Sequence, residues 1–82
     1  MARVILTSGL GNQFCGGETE FNIDAADVRS LLTLLEVRFP GIKPELEREM
    51  AVAIDGEIYQ DPFLEKIASD SEVYFLPRVG GG

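Results

Sequence analysis

Asp24-Ala25-Ala26-Asp27-Val28-Arg29-Ser30-Leu31-Leu32-Thr33-Leu34-Leu35-Glu36-Val37-Arg38-Phe39-Pro40-Gly41 is the stretch on which the fold turns. Val28, Leu31, Leu32, Leu35 and Phe39 recur at helical spacing, so one face of a helix is apolar and needs a surface to pack on. Asp24 stands where an N-cap carboxylate would accept from free backbone amides, with Asp27 three positions on, and Pro40-Gly41 stops the helix. A helix is therefore predicted over residues 25–38. On both sides the period changes to two. Upstream, Thr19, Phe21 and Ile23 alternate with Glu18, Glu20 and Asn22; downstream, Met50–Ile54 reads as another strand. A connection this long between two strands is a crossover and not a hairpin. It predicts a mixed sheet with the helix on one face and the other face open to a partner.

Working outward, residues 3–7 alternate as a half-buried first strand, with Val4 and Leu6 on one side and Arg3, Ile5 and Thr7 on the other, antiparallel to the strand at 18–23. Residues 9–17 carry four glycines, whose entropy opposes both strand and helix, so a loop is predicted there. Residues 43–48 are long enough for one short helical turn. Asp55-Gly56 is a strong hairpin signal, because both central residues of a type I′ turn need positive φ; it joins Met50–Ile54 to a short strand at Glu57–Tyr59. A helical turn is predicted at 63–68 and a fifth strand at 72–76, ended by Pro77. The result is an α+β fold with about five strands packed on one main helix. Residues 1–77 form the domain and residues 78–82 an extended, flexible tail ending in Gly-Gly.

Eighty-two residues hold one small core, which excludes an active site in a cleft between two domains. Fourteen acidic against seven basic residues give a net charge of −7, the wrong sign for nucleic acid and suited to a basic protein partner. With no histidine and one cysteine, Cys15, neither a Cys/His zinc site nor an internal disulfide nor histidine catalysis is available, and no metal is expected. No apolar run reaches the roughly 20 residues of a membrane span. Met1-Ala2-Arg3-Val4-Ile5-Leu6 turns polar at Thr7-Ser8, too early for a secretion signal, so the expected compartment is the cytoplasm.

The end of the chain is its most informative part. Gly80, Gly81 and Gly82 have no side chains to pack, and such a segment can enter a narrow channel with its carboxylate as the only reactive group. Fully extended, Arg78 to Gly82 spans at most about 16–18 Å. If Val73 and Phe75 point into the core, alternation places Tyr74 and Leu76 on the open sheet face beside the tail, joined by Ile5 and by a low floor of Ala51 and Ala53. Weaker signals carry no role. Gly9-Leu10-Gly11-Asn12-Gln13-Phe14 begins like a dinucleotide loop but is followed by a strand, and Cys15 has no neighbour in sequence to lower its pKa. The spacings of Glu45, Glu47 and Glu49, or of Asp70 with Glu72, are those of a solvated acidic face, and Lys43 and Lys66 read as exposed lysines.

The strand and helix order, the length, and the run Glu72-Val73-Tyr74-Phe75-Leu76-Pro77-Arg78-Val79 before Gly81-Gly82 resemble the MoaD/ThiS family of small ubiquitin-like sulfur carriers, most of all its molybdopterin synthase small subunits. The resemblance implies a β-grasp fold. It implies that an ATP-dependent, ubiquitin-activating-like adenylyltransferase adenylates Gly82 and that a sulfur donor converts it to a thiocarboxylate. Arg78, Val79, Gly80 and Gly81 would enter the partner with it, and no cofactor would be bound by the carrier itself. The implied recipient is the molybdopterin synthase large subunit. Alternatives are carriage of sulfur for thiamine thiazole, cysteine, tRNA thiolation or another sulfur-containing metabolite, conjugation as a protein modifier, and an interaction domain with an inert tail. Family members often carry a short helix after the first strand, where this chain has its glycine-rich segment.

Overall fold

The computed structural model describes residues 1–78, Glu49 by its backbone alone. Along the chain lie β1 (Ala2–Ile5), α1 (Ser8–Phe14), β2 (Glu20–Ile23), α2 (Val28–Arg38), α3 (Ile42–Glu49), β3 (Met50–Ile54), β4 (Glu57–Tyr59) and β5 (Glu72–Pro77). The strands form a five-stranded mixed sheet in the order β2-β1-β5-β3-β4, with β1 and β5 parallel and the other pairs antiparallel. The crossover through α2 and α3 thus carries the chain from one edge of the sheet to the other half, as the helical stretch predicted. Val28, Leu31, Leu32 and Leu35 of α2, with Ile42 and Leu46 of α3, bury against Val4, Phe21, Val52, Val73 and Phe75 of the sheet. This is the β-grasp arrangement.

Four local predictions are corrected. Residues 9–17 do not form a loop throughout, because α1 occupies Ser8–Phe14. Thr7 caps it, its Oγ1 accepting from the Leu10 amide at 3.2 Å, and Leu10 is buried in the core. Gly11 is there because the helix approaches the start of β2 closely: a Cβ at that position would stand 2.6 Å from the Glu18 carbonyl oxygen. Burial of Leu10 and this close approach outweigh the glycine entropy that argued for a loop. The buried Cys15 closes the helix, and burial pushes its thiol pKa up, which disfavours the reactive thiolate.

α2 begins at Val28, not Ala25, and its cap is Asp27, which accepts from the Ser30 amide at 2.8 Å. The reason is tertiary. The Ala26 carbonyl accepts from the Ile67 amide and the Val28 amide donates to the Glu65 carbonyl, so this backbone is engaged with the 60s segment before the helix can start. The same pairing, with its Asp27–Lys66 bridge, keeps residues 63–68 out of a helical turn. α3 is a helix of eight residues where a single turn was predicted. Glu36 accounts for it, accepting from the Gly41 and Lys43 amides at 2.8 and 2.9 Å, so that a carboxylate on α2 satisfies the first amides of α3. Those bonds hold the Glu36 carboxyl below its ordinary range.

The hairpin is as predicted, with φ of 49° at Asp55 and 88° at Gly56. Asp55 also ties it to β5, accepting from the Glu72 amide at 2.9 Å and from the buried Ser71 hydroxyl at 2.8 Å. Among the described residues no helix is long and apolar enough to cross a membrane, and no cluster of three or more His, Cys, Asp or Glu is arranged to hold a metal ion.

Candidate functional site

The sheet face turned away from the helices is organised by β5, which lies between β1 and β3. Tyr74 stands beside Ile5 on one side and Ala53 on the other, and Ala53 in turn beside Ile58 of β4. One residue pair further along β5, Leu76 stands beside Ala51. The five residues expected on this face are therefore brought together in two adjacent rows. Side-chain alternation along a strand requires it: Val73 and Phe75 are buried beneath, while Tyr74 is 37% exposed and Ile5 and Leu76 are half-buried.

Two details differ from the sequence reading. Ala51 and Ala53 face outward but are only 2% and 7% exposed, flanked in register by the taller Leu76, Tyr74 and Ile58. They space the larger side chains more than they offer contact area. Ile58, 58% exposed, completes the row and was missed; a three-residue strand after a turn has too little periodicity to declare which of its faces is covered.

The patch is polar at one end. Arg3 donates to Glu20 at 2.7 and 3.1 Å and to Glu72 at 2.6 Å, across three strands. These bonds raise the Arg3 pKa further above its ordinary value and lower that of Glu20. All three side chains are about half exposed, so the triad contributes little to stability and serves mainly to orient charge on the rim.

At the opposite end β5 stops at Pro77 and the tail begins. Arg78 turns back onto the domain: its Nε donates to the Met50 carbonyl at 3.3 Å, and its Nη2 to the Gln60 and Glu47 carbonyls at 3.1 and 3.4 Å. Val79, Gly80, Gly81 and Gly82, expected to enter a partner with it, lie outside the described residues. One strand thus carries the exposed-face residues Tyr74 and Leu76 and leads directly into Arg78.

The ThiS family model matches residues 13–82. No curated protein matches the sequence. Among solved structures, the fold is similar to the Amycolatopsis orientalis BexX/CysO complex, with a TM-score of 0.85 at 23% identity and 100% of both chains covered. It is similar to the small archaeal modifier protein 1 of Methanosarcina acetivorans, with a TM-score of 0.78 at 20% identity over 99% of this chain and 95% of that one. It is also similar to the complex of subunits 1 and 2 of the molybdopterin-converting factor of Helicobacter pylori 26695, with a TM-score of 0.68 at 23% identity over 99% and 97%. These likenesses agree on the fold, and the family match extends through Gly82; the chain belongs to the ThiS family, a family of ubiquitin-like sulfur carriers with the β-grasp fold.

Proposed function

We propose that the chain carries sulfur as a thiocarboxylate on Gly82, with the tail rooted at Arg78 reaching a partner's active site. The observation that carries the reading is the continuity of β5: Tyr74 and Leu76 stand in the apolar patch four and two residues before Arg78. A partner that covers Ile5, Tyr74, Leu76 and Ile58 is thereby placed beside the root of the tail. A Cβ-free terminus can then enter a narrow channel within it.

In this reading an ATP-dependent adenylyltransferase binds the patch, and a Gly82 carboxylate oxygen attacks the α-phosphate of ATP, releasing pyrophosphate. Sulfide then attacks the acyl carbon and AMP leaves with the bonding pair of the broken C–O bond. The thiocarboxylate that results is a soft nucleophile, able to pass its sulfur to an acceptor. The carrier binds no cofactor of its own, and its partner enzymes perform the catalysis.

The recipient suggested by the terminal run is the large subunit of molybdopterin synthase, and the likeness to the Helicobacter pylori molybdopterin-converting factor supports it. The higher TM-score against the BexX/CysO complex favours a second reading, delivery to another sulfur-accepting enzyme. Mixing the thiocarboxylate form with each acceptor enzyme in turn separates them, since only the true recipient consumes it. Removing Gly82, or adding a residue after it, is expected to abolish sulfur loading while the melting temperature stays unchanged, because the tail lies beyond the last strand. Loading of the shortened chain would overturn the reading.

A further inference from the structure

We propose that Arg78 is a positioning residue that clamps the root of the tail to the domain; the inference deepens the carrier reading and rests on it for its functional consequence. The guanidinium gathers carbonyls from three elements: Glu47 in the last turn of α3, Met50 at the start of β3, and Gln60 just past β4. Each is at the end of an element. The Glu47 carbonyl is one of the last four of its helix, which lack intrahelical donors, and a cation there also complements the helix dipole. β4 pairs with Val52, Ala53 and Ile54 and stops short of Met50, so β3 extends past its neighbour at this corner. Arg78 spans that corner, carrying positive charge to carbonyl oxygens with a planar fork whose donors point in different directions.

The consequence is a fixed pivot. With Arg78 held, the reach available from that point is the contour of four residues, at most about 13–14 Å. An enzyme that accepts the tail then has four residues to order where an unclamped tail would present five or more. Ordering one additional backbone residue lowers an equilibrium constant by roughly tenfold. Pre-organisation of this kind acts on binding, so its loss raises KM and leaves kcat in place.

The test compares wild type with Arg78→Ala and Arg78→Lys. In the free protein, ¹⁵N relaxation is expected to give a rigid Arg78 amide, with an order parameter near 0.85, falling below about 0.6 in both variants, because a lysine's single nitrogen cannot bridge three separated carbonyls. With the cognate activating enzyme, pyrophosphate release is expected to show a rise in KM of about tenfold for both variants, with kcat and the melting temperature unchanged. A flexible Arg78 in wild type overturns the clamp. So does recovery of wild-type KM by Arg78→Lys, which would mean that charge toward the partner matters and the fork does not. If wild type itself releases no pyrophosphate, the carrier reading fails, and the relaxation data judge the clamp alone.

Discussion

Substituting Phe75 and its neighbour Tyr74 tests the register on which the apolar patch depends. Phe75 is 2% exposed and among the largest fully buried side chains, so Phe75→Ala leaves a cavity and should cost about 3–5 kcal/mol. A domain of this length has a total stability of about 4–12 kcal/mol, so the loss is about a quarter of it at least. At roughly 4–8 °C per kcal/mol, the melting temperature should drop by more than about 12 °C. Tyr74, one residue away, points to the opposite face. Tyr74→Asp gives up strand preference of about 1 kcal/mol and should lower the melting temperature by less than about 8 °C. In partner binding the order reverses: Tyr74→Asp removes a ring from the centre of the apolar row and should weaken the complex by about 1–3 kcal/mol. Circular dichroism melts and calorimetric titration with an acceptor enzyme measure both. A mild Phe75→Ala together with an unfolded Tyr74→Asp would mean a one-residue slip of β5, which exchanges its two faces and removes the patch.

Gly9 and Gly11 test whether α1 is a helix packed on β2. Gly9→Ala adds a methyl with nothing nearer than 4.0 Å and should stabilise by about 0.5–1 kcal/mol, whereas Gly11→Ala meets backbone at 2.6 Å and should destabilise by about 1–3 kcal/mol, both read from urea midpoints. Equal, near-zero effects would mean that the segment is a loop. Acid should unfold the domain from the side of its capping carboxylates. Asp27, Glu36 and Asp55 each accept backbone amides that hold their pKa values below the ordinary range, so the unfolded chain binds more protons as pH falls through about 5 toward 3. Stability should be level above about pH 5 and decline below it, and Glu36→Gln should flatten part of that decline; a pH-independent midpoint from 6 to 3 would contradict the assignment.

What the sequence disclosed follows from how local each determinant is. Met50–Ile54, Asp55-Gly56 and Glu57–Tyr59 were legible to the residue, because a type I′ turn is written in two adjacent residues that tolerate positive φ. The start of α2 was not, since Asp24 and Asp27 are both good caps and the choice is made by Glu65 and Ile67, about forty residues on. α1 was hidden because its glycines argue locally for a loop, while the contact that requires Gly11 comes from Glu18 and Thr19. On the site, alternation alone placed Ile5, Tyr74 and Leu76 on one face. The covering of Ala51 and Ala53, the addition of Ile58 and the seat of Arg78 depend on strand register and on carbonyls 18 to 31 residues away, which no local pattern encodes.

The mass of the chain after activation tests sulfur carriage on Gly82 most directly. Incubated with its cognate adenylyltransferase, ATP and a sulfide donor, the intact protein should gain about 16 Da, the difference between oxygen and sulfur, with fragmentation placing the change on Gly82. An unchanged mass, under conditions where the same enzyme consumes ATP and loads another carrier, would contradict it.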